Sequence, residues 1–282
     1  MYMKKLLLLL SMAMCYSFGF SQTKTVAVCH SPTQQFAMLA SDKKFIMAHP
    51  NPIKFHYQSS IGKTITYACA DGKTAAAYEL KAAKPTKNYL LVVHEWYGLN
   101  DYIKQISERL YNDIGNVNVI AIDLYDGKVA ATSADAGKYM ASVTEPRAQA
   151  IIKGAIAYVG TKARIATIGW CFGGGWSLQS TLLAGKQAVG CVMYYGMPDQ
   201  DVNKLKTLNT DVLGIFGNKD QWINPTVVAT FADNMKKADK KLTLYQYDAN
   251  HGFSNPSNPA YNSDATKDAY THTLEFLKPR LK

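Results

Sequence analysis

This 282-residue chain is short of several features that would place it quickly. Past the first twenty or so residues it has no apolar run long enough to cross a bilayer, so no membrane-embedded function is expected of the rest. Its 5 cysteines form no Cys-x-x-Cys pair and show no Cys/His spacing typical of zinc. Cys29 beside His30 has no second pair at ligand spacing and is not read as a metal site. The glycines at 173–175 are not followed by Lys-Ser/Thr, which excludes a nucleotide P-loop. The formal charge of +10 is scattered, and its densest stretch, Lys236, Lys237, Lys240 and Lys241, fits the solvated end of a helix. Such a surface favours weak contact with anionic polymers or envelopes. With no basic motif interleaved by aromatics, nucleic acid is not an expected partner. No internal repeat or low-complexity linker interrupts a composition that is 48% apolar, enough for the core of one large domain.

What is present begins with an export pattern. Lys4 and Lys5 precede Leu6–Leu10, apolar character continues to Phe20, and Gly19 and Ser21 are small. This reads as a secretory signal over residues 1–21, cleaved after Ser21 to leave Gln22 first, with a periplasmic or extracellular destination. Met14 stands where lipidation of Cys15 would want a small residue. Export permits disulfides, so Cys29 and Cys69 are either paired or free thiols. Cys191, inside an apolar run, is expected in the core.

Residues 22–60 hold His30, His49 and His56 without a clear period and are expected to be an irregular extension packed on the main domain, residues 61–282. There, Thr64–Cys69 and Thr74–Leu80 flank an Asp-Gly turn and predict a hairpin. Short apolar runs at Tyr89–Val93, Val117–Ile122, Arg164–Gly169, Ala188–Tyr194, Asp211–Phe216 and Leu242–Tyr247 predict buried strands. Helical spacing covers Asp101–Asp113, Glu145–Val159, Pro225–Ala238 and Asp264–Leu277. The alternation predicts an α/β fold of the α/β-hydrolase type: a mostly parallel sheet, helices on both faces, and an N-terminal antiparallel hairpin.

Gly169-Trp170-Cys171-Phe172-Gly173 is a Gly-x-Cys-x-Gly run between a predicted strand and a predicted helix. That is the context of a nucleophile elbow, where a strained turn lifts the reactive atom above the sheet. A glycine-rich turn that merely packs tightly around a buried thiol is the alternative. As a nucleophile, Cys171 would gain acidity from the helix amino end, and the N–H of Phe172 would be an oxyanion donor. The required partners follow in hydrolase order. Asp220 lies just past the strand ending at Phe216, and His251 just past the strand ending at Tyr247. Asp199 and Asp201 are poorer candidates for the acid, and His272 falls on the last helix.

With Gly169-x-Cys171-x-Gly173-Gly174, the segments Val93-His94-Glu95-Trp96-Tyr97-Gly98, Ile122-Asp123-Leu124-Tyr125 and His251-Gly252-Phe253 make residues 61–282 resemble the dienelactone hydrolase (carboxymethylenebutenolidase) family. The resemblance implies an ester or lactone hydrolase with a Cys171–His251–Asp220 triad and neither metal nor organic cofactor. It also implies that Glu95 contacts the resting thiol and aids its deprotonation, and that the N–H of Trp96 is the second oxyanion donor. A neutral resting thiol resists oxidation, which suits an exported enzyme. The chain departs from the family pattern in lacking both substrate-gripping arginines: none follows His251 closely, and Asp126–Met140 carries only Lys128 and Lys138. Arg147 comes later, on a predicted helix. A larger or aromatic ester is therefore expected in place of the anionic dienelactone, in a pocket built from Tyr97, Trp170, Trp222 and Phe253. The expected partner is that small molecule alone, and the expected state is a monomer or small homo-oligomer. Two other readings remain at this point, a thiol redox protein using Cys171 and a non-enzymatic envelope-binding protein.

Overall fold

The computed structural model describes residues 31–282. The signal reading, Cys15, Cys29 and His30 lie outside the described residues. The segment expected to be irregular opens with two short helices, α1 (Pro32–Met38) and α2 (Lys43–Ala48), joined by a single 3-10 turn. Helices of 7 and 6 residues are too short to display an apolar period, but their caps are legible in the chain. Ser31 and Gln34 form a reciprocal capping box, and the Asp42 carboxylate accepts from the N–H groups of Lys44 and Phe45.

Then come β1 (Lys63–Ala68), β2 (Thr74–Leu80), β3 (Asn88–Val93), α3 (Asp101–Ile114), β4 (Asn118–Ile122), α4 (Ser133–Ser142) and α5 (Glu145–Val159). They are followed by β5 (Arg164–Trp170), α6 (Phe172–Ala184), β6 (Ala188–Tyr194), α7 (Val202–Leu205), β7 (Val212–Gly217), α8 (Pro225–Lys237), β8 (Leu242–Tyr247) and α9 (Ser263–Leu277). The helix α4 falls on a stretch with no helical prediction. Its stripe is Ala136, Gly137 and Met140, small residues that give little period, and Thr132 caps it.

The strands form one sheet in the order β1-β2-β4-β3-β5-β6-β7-β8. The β1/β2 and β2/β4 pairs are antiparallel and the others parallel. Leu90–Val93 and Val119–Ile122 are wholly buried, as expected for strands covered on both faces. Cys191 is buried on β6, and Cys69 is a buried free thiol just past β1. No helix among the described residues is long and apolar enough to cross a membrane.

Parallel register fixes where the chemistry lies. Val93 pairs with Gly169, Trp170 with Tyr194, Tyr194 with Ile215, and Gly217 with Tyr247. The carboxyl ends of β3, β5, β6, β7 and β8 therefore lie along one edge, where open α/β sheets hold their ligands.

Candidate active site

Five of the loops that leave that edge carry the residues of the site. Glu95 follows β3, Cys171 follows β5, Tyr195 follows β6, Asp220 follows β7 and His251 follows β8. The turn at Cys171 is strained. Its φ of 56° and ψ of −121° lie where L side chains are rare, and they aim the thiol off the sheet at the amino end of α6. The crossing needs bare backbone. A Cβ at Gly169 would sit 2.0 Å from the Gly173 carbonyl oxygen, and one at Gly173 would sit 2.4 Å from the carbonyl oxygens of Val93 and His94. Phe172 begins α6, so its N–H has no carbonyl of an earlier turn to bond, and it faces the Cys171 sulfur.

The Asp220 Oδ2 atom accepts from His251 Nδ1 at 2.6 Å, and His251 Nε2 lies 3.4 Å from Cys171 Sγ. The other carboxyl oxygen of Asp220 accepts from the N–H groups of Trp222 and Ile223, both at 2.9 Å. The loops after β7 and β8 are stitched together by the N–H groups of Asn218 and Lys219, which donate to Tyr247 O and Ala249 O. Burial alone would raise the Asp220 pKa, but His251 and the two amides hold it below the usual carboxylate range. Burial would lower His251, but the Asp220 carboxylate and the Cys171 sulfur outweigh it and push the imidazole up to about 10. For Cys171 burial wins over the His251 and Phe172 N–H contacts, and the nearby Glu95 charge adds to it. Its thiol is thus less acidic than usual. This corrects the expectation that the helix end would lower it, because the site is dry: Cys171 is 2% exposed and Asp220 and His251 are each 3% exposed.

The Glu95 carboxyl does not take its hydrogen bonds from the thiol. The Tyr195 hydroxyl donates to Oε1 at 3.2 Å, and the Asn255 amide donates to Oε2. Desolvation lifts its pKa to about 7, against the pull of His251 and those two donors. Neither Tyr195 nor Asn255 carries a sequence signal for this task. Tyr195 arrives through the end of β6, with φ of 35°.

A cavity of about 400 Å³ opens beside Glu95 and Asn255, with Trp170, Tyr102, Tyr270 and Arg109 among its walls. Of the four aromatic residues expected in the substrate pocket, Trp170 lines this cavity and Tyr97, Trp222 and Phe253 do not. Phe253 is core, packed against Tyr195 and Tyr247. The Tyr97 hydroxyl donates to Pro50 O at 2.6 Å, and Trp222 Nε1 donates to Asp42 at 3.1 Å. Both hold the N-terminal segment, whose Phe36, Phe45 and His49 lie against the His251 ring at centroid distances of 6.1, 5.7 and 5.3 Å. Arg109 stacks on Tyr270 at 4.0 Å and supplies a cation to the cavity wall. Its place depends on α3 meeting α9, which no local pattern reveals. Arg147 is engaged elsewhere, bonded to Asp71, Asp126 and Thr74 O.

An α/β-hydrolase sheet carrying a thiol, an imidazole and a carboxylate in hydrogen-bonded sequence at its carboxyl edge defines the class. The dienelactone hydrolase family model matches residues 75–281, and the chain belongs to that family. It is an ester or lactone hydrolase of the dienelactone hydrolase type. It is 29% identical over 209 residues to the protein usf of Aquifex pyrophilus, covering 68% of this chain and 88% of that one. It is 30% identical over 115 residues to a carboxymethylenebutenolidase of Pseudomonas sp., covering 40% of this chain and 47% of that one. Among solved structures, a dienelactone hydrolase-like promiscuous phosphotriesterase from metagenomic libraries superposes with a TM-score of 0.65 at 17% identity, covering 79% of this chain and 100% of that one. At that identity the likeness speaks for the fold alone.

Proposed function

We propose that the chain cleaves apolar or aromatic esters or lactones through Cys171, with His251 as base and acid and Asp220 as its orienter. The observation that carries this reading is the unbroken contact chain from Asp220 through His251 to Cys171 Sγ, set at a strained elbow. In the neutral ring, the form that acts as base, the Nδ1 proton is shared with the Asp220 carboxylate and Nε2 is left as the acceptor for the thiol proton. Sγ attacks the carbonyl carbon as its proton passes to Nε2. The N–H groups of Phe172 and Trp96 receive the oxyanion. Collapse of the tetrahedral species breaks the carbon–oxygen bond, and the Nε2 proton leaves with the alkoxide. His251 then takes a proton from water, whose oxygen attacks the thioester and releases the acid and the thiol.

Glu95 acts in this scheme through its charge. Held in place by Tyr195 and Asn255, it adds from a distance to the burial that keeps the resting thiol neutral. The aromatic cavity beside it favours an acyl or leaving group with a flat apolar face, and Arg109 adds a cation at its wall. Export is part of the proposal, supported by the Lys4-Lys5 and Leu6–Leu10 pattern, with cleavage after Ser21. Amino-terminal sequencing of the protein from the cell envelope and medium would check it.

The experiment is hydrolysis by the purified chain of a panel from short aryl esters to dienelactone, beside Cys171→Ala. Turnover of aryl esters that falls by about 10³-fold or more in the variant is expected. Equal rates in the two proteins would remove Cys171 from the chemistry.

A further inference from the structure

His49 enters the site from outside the matched family region, carried by the segment that covers the triad. Its Nδ1 lies 2.7 Å from the Phe45 carbonyl oxygen. A carbonyl only accepts, so Nδ1 carries the proton and Nε2 holds the lone pair. That Nε2 is buried and has no hydrogen-bond partner. Orphaned buried acceptors are uncommon, and each calls for an explanation. One ligand atom each from His49, Cys171 and His251 lie within 4.8 Å of one another.

We propose that His49, Cys171 and His251 form a binding site for a thiophilic divalent cation such as Zn²⁺, and that the bound ion silences the thiol. Two imidazoles and a thiolate are a zinc donor set, leaving the fourth tetrahedral position to water. Across a tetrahedral ion with bonds of about 2.3 Å to sulfur and about 2.0 Å to nitrogen, the S···N edge is roughly 3.5 Å. His251 Nε2 and Cys171 Sγ already stand 3.4 Å apart. The outer shell is also in place. The Nδ1 of His251 is bonded to the Asp220 carboxylate and that of His49 to a backbone carbonyl, the two arrangements that orient metal-bound histidines. Phe36, Phe45, Trp96 and Trp222 close an apolar ring around the cluster. Burial and the neighbouring His251 push the His49 pKa down to about 3, so its ring is a neutral ligand at ordinary pH.

Binding releases the thiol proton, and any second proton on His251, to solvent, so the affinity falls with falling pH. With its sulfur and base both coordinated, the site has neither nucleophile nor acceptor until the ion leaves. The site is defined by the placement of three side chains and does not depend on the hydrolase reading.

The test is Co²⁺ titration of the full chain. A thiolate-to-cobalt charge-transfer band in the near ultraviolet, with tetrahedral bands in the visible saturating at one ion per chain, is the expected result. Cys171→Ser should abolish the charge-transfer band. His49→Gln keeps bulk and a donor for Phe45 O but offers no imidazole, and should weaken binding by more than the roughly 10–100-fold that loss of an outer-shell partner costs. In a second measurement, Zn²⁺ should slow alkylation of Cys171 in the wild type and fail to do so in His49→Gln, with near-ultraviolet circular dichroism as the check on folding. Absence of the charge-transfer band, or equal affinity and equal protection in His49→Gln, would overturn the proposal. Because the band is read without substrate, a chain that binds cobalt but turns over no ester would sink the hydrolase reading and leave the metal site standing.

Discussion

At Glu95 the chain holds a carboxyl in a place that does not suit its charge. Its ordinary pKa of 4.5 rises to about 7 in the fold. A raised carboxyl pKa means that the folded state keeps a proton which the unfolded state has lost. The associated stability is complete below about pH 4.5 and is lost as pH rises to about 7. Glu95→Gln removes this titration, so its melting temperature relative to wild type should climb between those two pH values and then level off. The size expected is about 1–3 kcal/mol. Melting curves across pH 4–8 decide it, and a constant difference would place Glu95 in a more hydrated setting than the structure gives it. Asp220 has the opposite sign. Its lowered pKa contributes stability that is present above the ordinary carboxylate range and is lost as pH falls below it. Both carboxyls and their strand-end positions were legible in the chain, but their states were not. Those depend on Tyr195, Asn255 and His251, which arrive from two other loops, after β6 and β8.

The element that sets the geometry is the β5–α6 elbow. Its glycines are a packing requirement: α6 crosses so close to the end of β3 that Gly173 faces two backbone carbonyls. Backbone cannot yield as a flexible side chain can. Gly173→Ala should therefore lower the melting temperature by about 5–10 °C and displace Cys171 from His251, reducing ester turnover with it. A variant as stable and as active as wild type would show that α6 can slide, which the contacts argue against. This element is legible in the sequence because its strand run, glycines and helix are contiguous, from Arg164 to Ala184. The helices α1 and α2 were not, since an amphipathic period needs more residues than either has. Their Ser-x-x-Gln and Asp caps were the available signal.

At the scale of the whole molecule, the N-terminal segment is the roof of the site. Phe45 is fully buried among Phe36, Trp96, Trp222 and the His49 and His251 rings. Tyr97 and Trp222 clasp the same segment by hydrogen bonds to Pro50 O and Asp42. Removal of the Phe45 ring should loosen the roof locally and admit reagents to the thiol. In Phe45→Ala, alkylation of Cys171 by iodoacetamide should run at least about ten times faster than in wild type. Cys171→Ala supplies the background from the other cysteines of the chain. Unchanged rates would mean that the thiol is reached through the cavity beside Glu95 and that the roof does not guard it.

The sequence by itself determined the sheet, the elbow, and the order of thiol, carboxylate and imidazole. Those features are written in short apolar runs and in the residues that end them, within reach of local steric and hydrophobic rules. Tertiary structure decided which of the expected aromatics lines a cavity and which hold the chain together. Tyr97, Trp222 and Phe253 have the composition of pocket walls, yet they are held against Pro50, Asp42 and Tyr195, each more than forty residues away in the chain. It also decided the protonation of the thiol, because desolvation is a property of everything that surrounds an atom. His49 carries both lessons: a lone histidine in a stretch without period, it acquires chemistry only when the fold seats it against Cys171 and His251.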